Sequence, residues 1–230
     1  MRVSTLSLAD FRNHERLELE FPAGATTIVG RNGRGKTNIV ESVNYLATLA
    51  SHRVSGDAPL IRHGCPSARI CANLTKAQRT ATVEVTLNIS GSNQVSINGA
   101  AQRRPRDLLG LVTAVVFAPE DLELVKGDPA SRRRYVDELA TQLAPRVAGT
   151  RSDFDRVLRQ RSALLKSAGR RSVGAAQTLD VWDEQFAIHG AALVHERLTA
   201  LDRVAPWITQ HGELISGGTE PLRAEYSTKW

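Results

Sequence analysis

Residues Gly30-Arg31-Asn32-Gly33-Arg34-Gly35-Lys36-Thr37 hold three glycines, a lysine and a hydroxyl in the order G-x-x-x-x-G-K-T. This set suits a phosphate chain. The glycines let the backbone wrap an anion and turn its N–H groups inward. Lys36 would reach the β- and γ-phosphates as the catalytic cation, and the Thr37 hydroxyl would ligate Mg²⁺. All eight residues are therefore candidates for nucleotide binding.

The flanks must position that loop. Ala25 to Val29 is short, apolar and β-branched, which predicts a buried strand. Asn38 to Leu49 carries apolar residues at Ile39, Val43, Leu46, Ala47 and Leu49, which is helical spacing. A strand before the motif and a helix after it are the context the motif requires. The helix N-terminus would add partial positive charge beneath the phosphates.

Further strands are predicted at Val3 to Leu8, Leu17 to Phe21, Ser67 to Leu74, Ala81 to Ile89 and Gln94 to Ile97. Thr82 to Leu87 alternates as a half-buried antiparallel strand does, and Asn98-Gly99 is a hairpin signal. Residues 51 to 66 read as irregular, with Gly56, Pro59, Gly64 and Pro66 as breakers. Leu111 to Phe117 is almost continuously apolar, which predicts a buried core strand. After Pro129 the spacing becomes helical over 131–143 and 150–168, and again from Thr178 to Val204. Leu179, Trp182, Phe186, His189 and Leu193 form a seam of 3-4 spacing, so the last two segments predict an antiparallel hairpin with Trp182 and Phe186 in its core. Arg223 to Tyr226 is a candidate for one more strand.

The chain has 230 residues, 41% hydrophobic and 23% charged, as soluble globular proteins do. No apolar run reaches membrane-spanning length, and the N-terminus has no signal-peptide apolar region. Two cysteines, Cys65 and Cys71, suggest free thiols in a reducing, cytoplasmic setting, and their spacing with His52 and His63 fits no common zinc pattern. The net charge of +6 permits polyanion contacts. Arg151, Arg156, Arg159, Arg161, Lys166, Arg170 and Arg171 stand against only Asp153 and Asp155, so this stretch is either a DNA-contact surface or a solvated helix face.

The G-x-N-G-x-G-K-T loop, with other segments, resembles the ABC-type heads of the SMC and RecF group of DNA-maintenance ATPases. Asp10-Phe11-Arg12-Asn13-His14 is similar to the short N-terminal motif of the RecF family, which implies that Arg12 and Asn13 touch nucleotide phosphates. Ser51-His52-Arg53 is similar to its arginine-containing loop. Val116 to Leu122, followed by Val125 to Pro129 and Arg132-Arg133, resembles the segment that stands where other ABC heads carry a glutamine loop. Leu158 to Lys166 resembles the start of the family's helical arm. Glu120 and Asp121 read either as water- or Mg²⁺-directed acids, with Glu120 a second candidate metal ligand, or as helix-capping acids.

The resemblance implies an α/β P-loop NTPase fold. Residues 1–128 would be the N-terminal lobe of the ATPase head with an antiparallel β portion, 129–214 an α-helical hairpin arm, and 215–230 a return segment. It implies ATP and Mg²⁺ as ligands and an ATP-dependent homodimer. It implies DNA as partner, at single-strand/double-strand junctions or duplex, together with recombination mediator proteins and association with the nucleoid. Family members run longer, and no Walker B strand, signature motif or catalytic glutamate is visible here. Ile215 to Glu220 mimics the signature LSGGQ, but the following Pro221 favours a glycine turn. Weak ATPase activity is thus expected of the longer family protein and none of this chain alone. A P-loop metabolite kinase and a non-enzymatic nucleotide-sensing scaffold are the competing readings.

Overall fold

A computed structural model describes residues 1–76, 79–167 and 173–227, with the side chains of 167 and 173–177 left aside. Two compact units divide the chain, Met1–Val125 and Lys126–Trp230.

The first unit is built on a six-stranded antiparallel sheet in the order β2-β1-β3-β4-β5-β6. Its strands are β1 (Arg2–Phe11), β2 (His14–Glu20), β3 (Ser67–Lys76), β4 (Arg79–Asn88), β5 (Gln94–Ile97) and β6 (Ala100–Ala101). The alternation read from sequence sets which face is buried. Leu6 and Leu8 of β1, Ile70 and Ala72 of β3, and Val83, Val85 and Leu87 of β4 all point into one core at 2% exposure or less. Registers such as Leu8↔Ile70 and Ile70↔Val85 align these side chains in rows. Each such Leu, Ile or Val contributes roughly 1.5–3 kcal/mol by burial. The predicted Asn98-Gly99 turn joins β5 to β6, with φ of 52° and 78°.

Helix α1 (Lys36–Thr48) lays Ile39, Tyr45, Leu46 and Ala47 into the same core. The Tyr45 ring is 1% exposed, and burial together with the neighbouring Asp57 raises its phenol pKa strongly.

Two predicted strands are corrected. Residues 26–29 join no sheet among the described residues, and Val29 is 84% exposed. Residues 111–117 form no strand of the sheet, Val112 making an isolated bridge with Leu109. Val112 and Ala118 are buried, whereas Val115 and Phe117 are 97% and 95% exposed. A run buried on both faces needs neighbours on both faces, and the described residues supply them on one.

The second unit is helical. After the short α2 (Glu123–Lys126), which crosses the unit boundary, come α3 (Pro129–Leu143), α4 (Val147–Ser167) and α5 (Val173–Ser216). Asp128 caps α3, its carboxylate accepting from the Ser131 N–H at 2.8 Å with Pro129 in the first turn. That hydrogen bond holds the Asp128 carboxyl below its ordinary range. α4 and α5 run antiparallel, as the seam predicted. Phe154 meets Phe186 at 5.3 Å between ring centres, and Arg161 lies over the Phe186 ring while its Nε donates to Asp183 at 2.5 Å.

α5 extends beyond the predicted Val204, running through Pro206 to Ser216. An interior proline removes one helical hydrogen bond but does not oblige the flanking turns to unwind. Gly217 and Gly218, both left-handed, end α5, and the Gly218 N–H reaches back to the Glu213 carbonyl. Ile215 to Glu220 is thus a helix terminus. The strand suggested at 223–226 is absent, since those residues pair with no strand. The chain folds back so that Leu222 Cβ sits 2.6 Å from where a Cβ on Gly212 would stand.

Candidate functional site

The phosphate loop leads directly into α1, whose first residue is Lys36 and whose N-cap is Gly35. Gly35 has φ 86°, and a Cβ there would lie 2.4 Å from both Asn13 Oδ1 and His14 Nε2. Backbone shape and space both demand glycine. The turn between β1 and β2 grips the loop from below. Asn13 Nδ2 donates to the Gly33 carbonyl at 3.4 Å, and His14 Nε2 donates to the Gly35 carbonyl at 3.1 Å. Asn38 Nδ2 in turn donates to Asn13 Oδ1 at 2.8 Å.

Lys36 Nζ donates to the carbonyls of Gly30 at 2.7 Å and Arg31 at 2.9 Å. The ammonium therefore sits folded into the loop at the helix N-terminus, where an anion would meet it with the free first-turn N–H groups. Thr37 is exposed beside it, as are Arg31, Asn32, Gly33 and Arg34. These features fit a polyphosphate.

Arg12 is anchored within the chain. Its Nε and Nη2 donate to the two oxygens of Glu41 at 3.0 and 2.6 Å, and its Nη1 donates to the Pro59 carbonyl at 3.0 Å. Glu41 is fully buried on α1. Burial pushes its carboxyl up, but Arg12, Ser51 and Arg53 outweigh that and hold it below the ordinary carboxylate range. Arg53 Nη1 also donates to Asn38 Oδ1 at 3.0 Å. Arg12, Asn13, Asn38 and Arg53 line an open pocket of about 650 Å³ together with Pro59, Ile61, Arg62, His63 and Ile89. Its lining mixes cations and amides with apolar side chains.

Glu120 lies 3.8 Å from Arg53 Nε. Its neighbour Asp121 accepts from the Ala118 N–H at 2.7 Å and so acts as a capping acid. Among the described residues no group of three or more His, Cys, Asp or Glu could hold a metal ion. A divalent cation here would rely on Thr37 and on the phosphates themselves, which suits Mg²⁺. Cys65 and Cys71 are separate free thiols.

The basic stretch of α4 is largely neutralised within the chain. Arg151 lies near Asp137 and Asp155, Arg156 pairs with Asp153 and Arg161 with Asp183. Arg159 and Lys166 are exposed. Arg170 and Arg171 lie outside the described residues.

His14, Asn38 and above all Glu41 escaped the sequence reading. Glu41 sits in a helical stretch where Ser42 and Asn44 are buried too. Hydrophobic spacing marks only the apolar side of α1, and the helix is wrapped on other sides by the 51–60 loop. The available signal was Arg12, a cation just past the first predicted strand that needs a counter-charge if buried.

A family model described as the RecF/RecN/SMC N-terminal domain matches residues 2–224. The DNA replication and repair protein RecF of Streptomyces avermitilis is 50% identical over 231 residues, which cover 98% of this chain and 62% of that protein. The RecF of Kineococcus radiotolerans is 50% identical over 229 residues, covering 98% and 59%. The chain thus spans about three fifths of the length of these curated relatives. A solved structure of the recombination mediator protein RecF with ATP superposes with a TM-score of 0.86 at 24% identity, over 94% of this chain and 58% of that one. A structure of an SMC head with an extended coiled coil gives 0.50 at 15% identity. Both likenesses are of fold.

Proposed function

Because this chain belongs to the RecF/RecN/SMC N-terminal domain family, with RecF proteins as its half-identical relatives, we propose that it is the ATP-binding portion of a DNA replication and repair protein. The observation that carries the reading is the seating of Lys36. Its ammonium is folded onto the Gly30 and Arg31 carbonyls at the N-terminus of α1, in a loop clasped by Asn13 and His14.

ATP would lie with its phosphates along Gly30 to Thr37 and its nucleoside toward the pocket of Pro59, Ile61 and Ile89. Lys36 stabilises phosphate charge, and Asn13 holds the loop's shape. Mg²⁺, held by Thr37 and the phosphates, neutralises the β and γ oxygens when bound. Glu120 is a further candidate for that ion, in competition with Arg53. In the architecture we favour, 1–128 is the lobe of the head, 129–214 the arm and 215–230 a return segment. ATP then serves as a switch for homodimerisation and DNA affinity, with mediator proteins of recombination as partners. Arg151, Arg156, Arg159, Arg161 and Lys166 are the described DNA-contact candidates on α4, and Arg159 and Lys166 are exposed. The sequence shows no Walker B acidic strand, so efficient turnover by this chain alone is not expected.

Titration with a fluorescent ATP analogue and Mg²⁺ tests the reading, with and without a single-strand/double-strand junction DNA. The parent should bind saturably and Lys36→Met should lose at least tenfold in affinity. Equal binding by both proteins would overturn nucleotide binding at the loop. DNA affinity unchanged by ATP would remove the switch from this chain.

A further inference from the structure

We propose that Glu41 is a positioning residue of the nucleotide site, which fixes the guanidinium of Arg12 and tethers that of Arg53 beside the phosphate loop; this role presupposes nucleotide binding at that loop. The Glu41 side chain is 0% exposed. Two segments distant in sequence converge on it, the β1–β2 turn and the 51–53 loop. Arg12 gives it two hydrogen bonds, Ser51 Oγ donates to Oε1 at 2.5 Å, and Arg53 Nη1 approaches Oε2 at 3.4 Å. A carboxylate this deeply buried is tolerated only when its lone pairs are filled by such donors.

Placement ties the cluster to the site. Glu41 lies one helical turn beyond Thr37 on the same side of α1. The carboxylate and the phosphate loop therefore ride on one rigid element. Both arginines line one pocket with Asn13 and Asn38, and Asn13 in turn holds the loop through the Gly33 carbonyl.

The two arginines are held unequally. Arg12 is bidentate on Glu41, bound also to the Pro59 carbonyl, and 17% exposed. Arg53 is 33% exposed and divides its donors among Glu41, Asn38 and, at 3.8 Å, Glu120. Arg12 is thus a fixed cation. Arg53 can exchange Glu120 for a phosphate oxygen while Glu41 and Asn38 keep it in place. Anion binding gains when cations are ordered before the ligand arrives, because their ordering is not charged to the binding step. Glu41 supplies that order and Ser51 completes its coordination.

The test uses the full 230-residue chain and the fluorescent ATP analogue, at a temperature where near-ultraviolet circular dichroism shows every variant folded. A residue that only stabilises the fold leaves the Kd of folded molecules unchanged. A positioning residue does not. Glu41→Gln keeps size and removes charge, and should weaken binding about tenfold, with Glu41→Asp between it and the parent. Glu41→Gln within twofold of the parent overturns the proposal. Should Glu41→Gln not fold, Glu41→Asp carries the test, since it keeps both arginines and the charge but shortens the reach to them. A loss of threefold or more in it supports the proposal and binding within twofold overturns it. Lys36→Met, measured alongside, separates the outcomes. If it also binds like the parent, the phosphate loop is not the nucleotide site and that earlier reading fails instead.

Discussion

At the scale of single residues, Gly35 and Glu41 bear the constraints that decide the site. Gly35 combines a left-handed φ of 86° with side chains from the β1–β2 turn where its Cβ would be. Gly35→Ala should cost about 1–3 kcal/mol of strain, read as a lowered urea midpoint, and should abolish binding of the ATP analogue by pushing Asn13 and His14 off the loop. Glu41 makes a pH prediction with a definite sign. Its folded carboxyl titrates below the ordinary value of 4.5, so its stabilising contribution is complete above that value. The contribution is lost as pH falls from there through the lower folded value. Thermal midpoints followed between about pH 3 and 6 should fall steeply on the acid side in the parent and less steeply in Glu41→Gln. Identical slopes would show that Glu41 is not the titrating group.

At the scale of elements, the helical unit is pinned by charge as well as by its apolar seam. Arg197 on α5 donates to Asp137 on α3 at 2.6 and 3.0 Å, both residues being buried, and its Nη1 donates to the Tyr226 hydroxyl at 2.9 Å. Arg146 pairs with Glu196 one position earlier on α5. The seam read as Leu179 to Leu193 therefore continues toward Ala200 through charged residues rather than apolar ones. Asp137→Ala leaves a buried guanidinium uncompensated and should cost about 3–5 kcal/mol in urea unfolding. Asp137→Leu/Arg197→Met should recover most of that loss. If the double variant is as unstable as the single, packing against Tyr226 matters more than the ion pair. Element identity was largely legible beforehand. The β3, β4 and β5 strands and the α3 to α5 helices follow from periods of 2 and 3.6, because each buries one face against a neighbour that the chain itself supplies. The segments 26–29 and 111–117 were misread for the converse reason. Their composition asks for burial on two sides, and Val29, Val115 and Phe117 are exposed on one.

At the scale of the whole molecule, the sequence by itself determined that a phosphate loop stands between an extended segment and a helix. Local chemistry suffices for this, because glycine dihedrals and a lysine at a fixed offset carry the same meaning in any surroundings. The antiparallel strands, the helical hairpin and membership of the RecF/RecN/SMC family were legible as well, from periodicity and from motifs spread along the chain. Tertiary structure alone decided the rest. It paired Arg151 and Arg161 of α4 with acids on α3 and α5. It also brought Arg12 from the β1–β2 turn, and Ser51 and Arg53 from one loop, to a buried Glu41 with which they share no sequence period. Local rules reach about one helical turn or one strand pair. The partner of a buried charge is chosen by how sheet, helix and loop close around it, and only the folded chain fixes that distance.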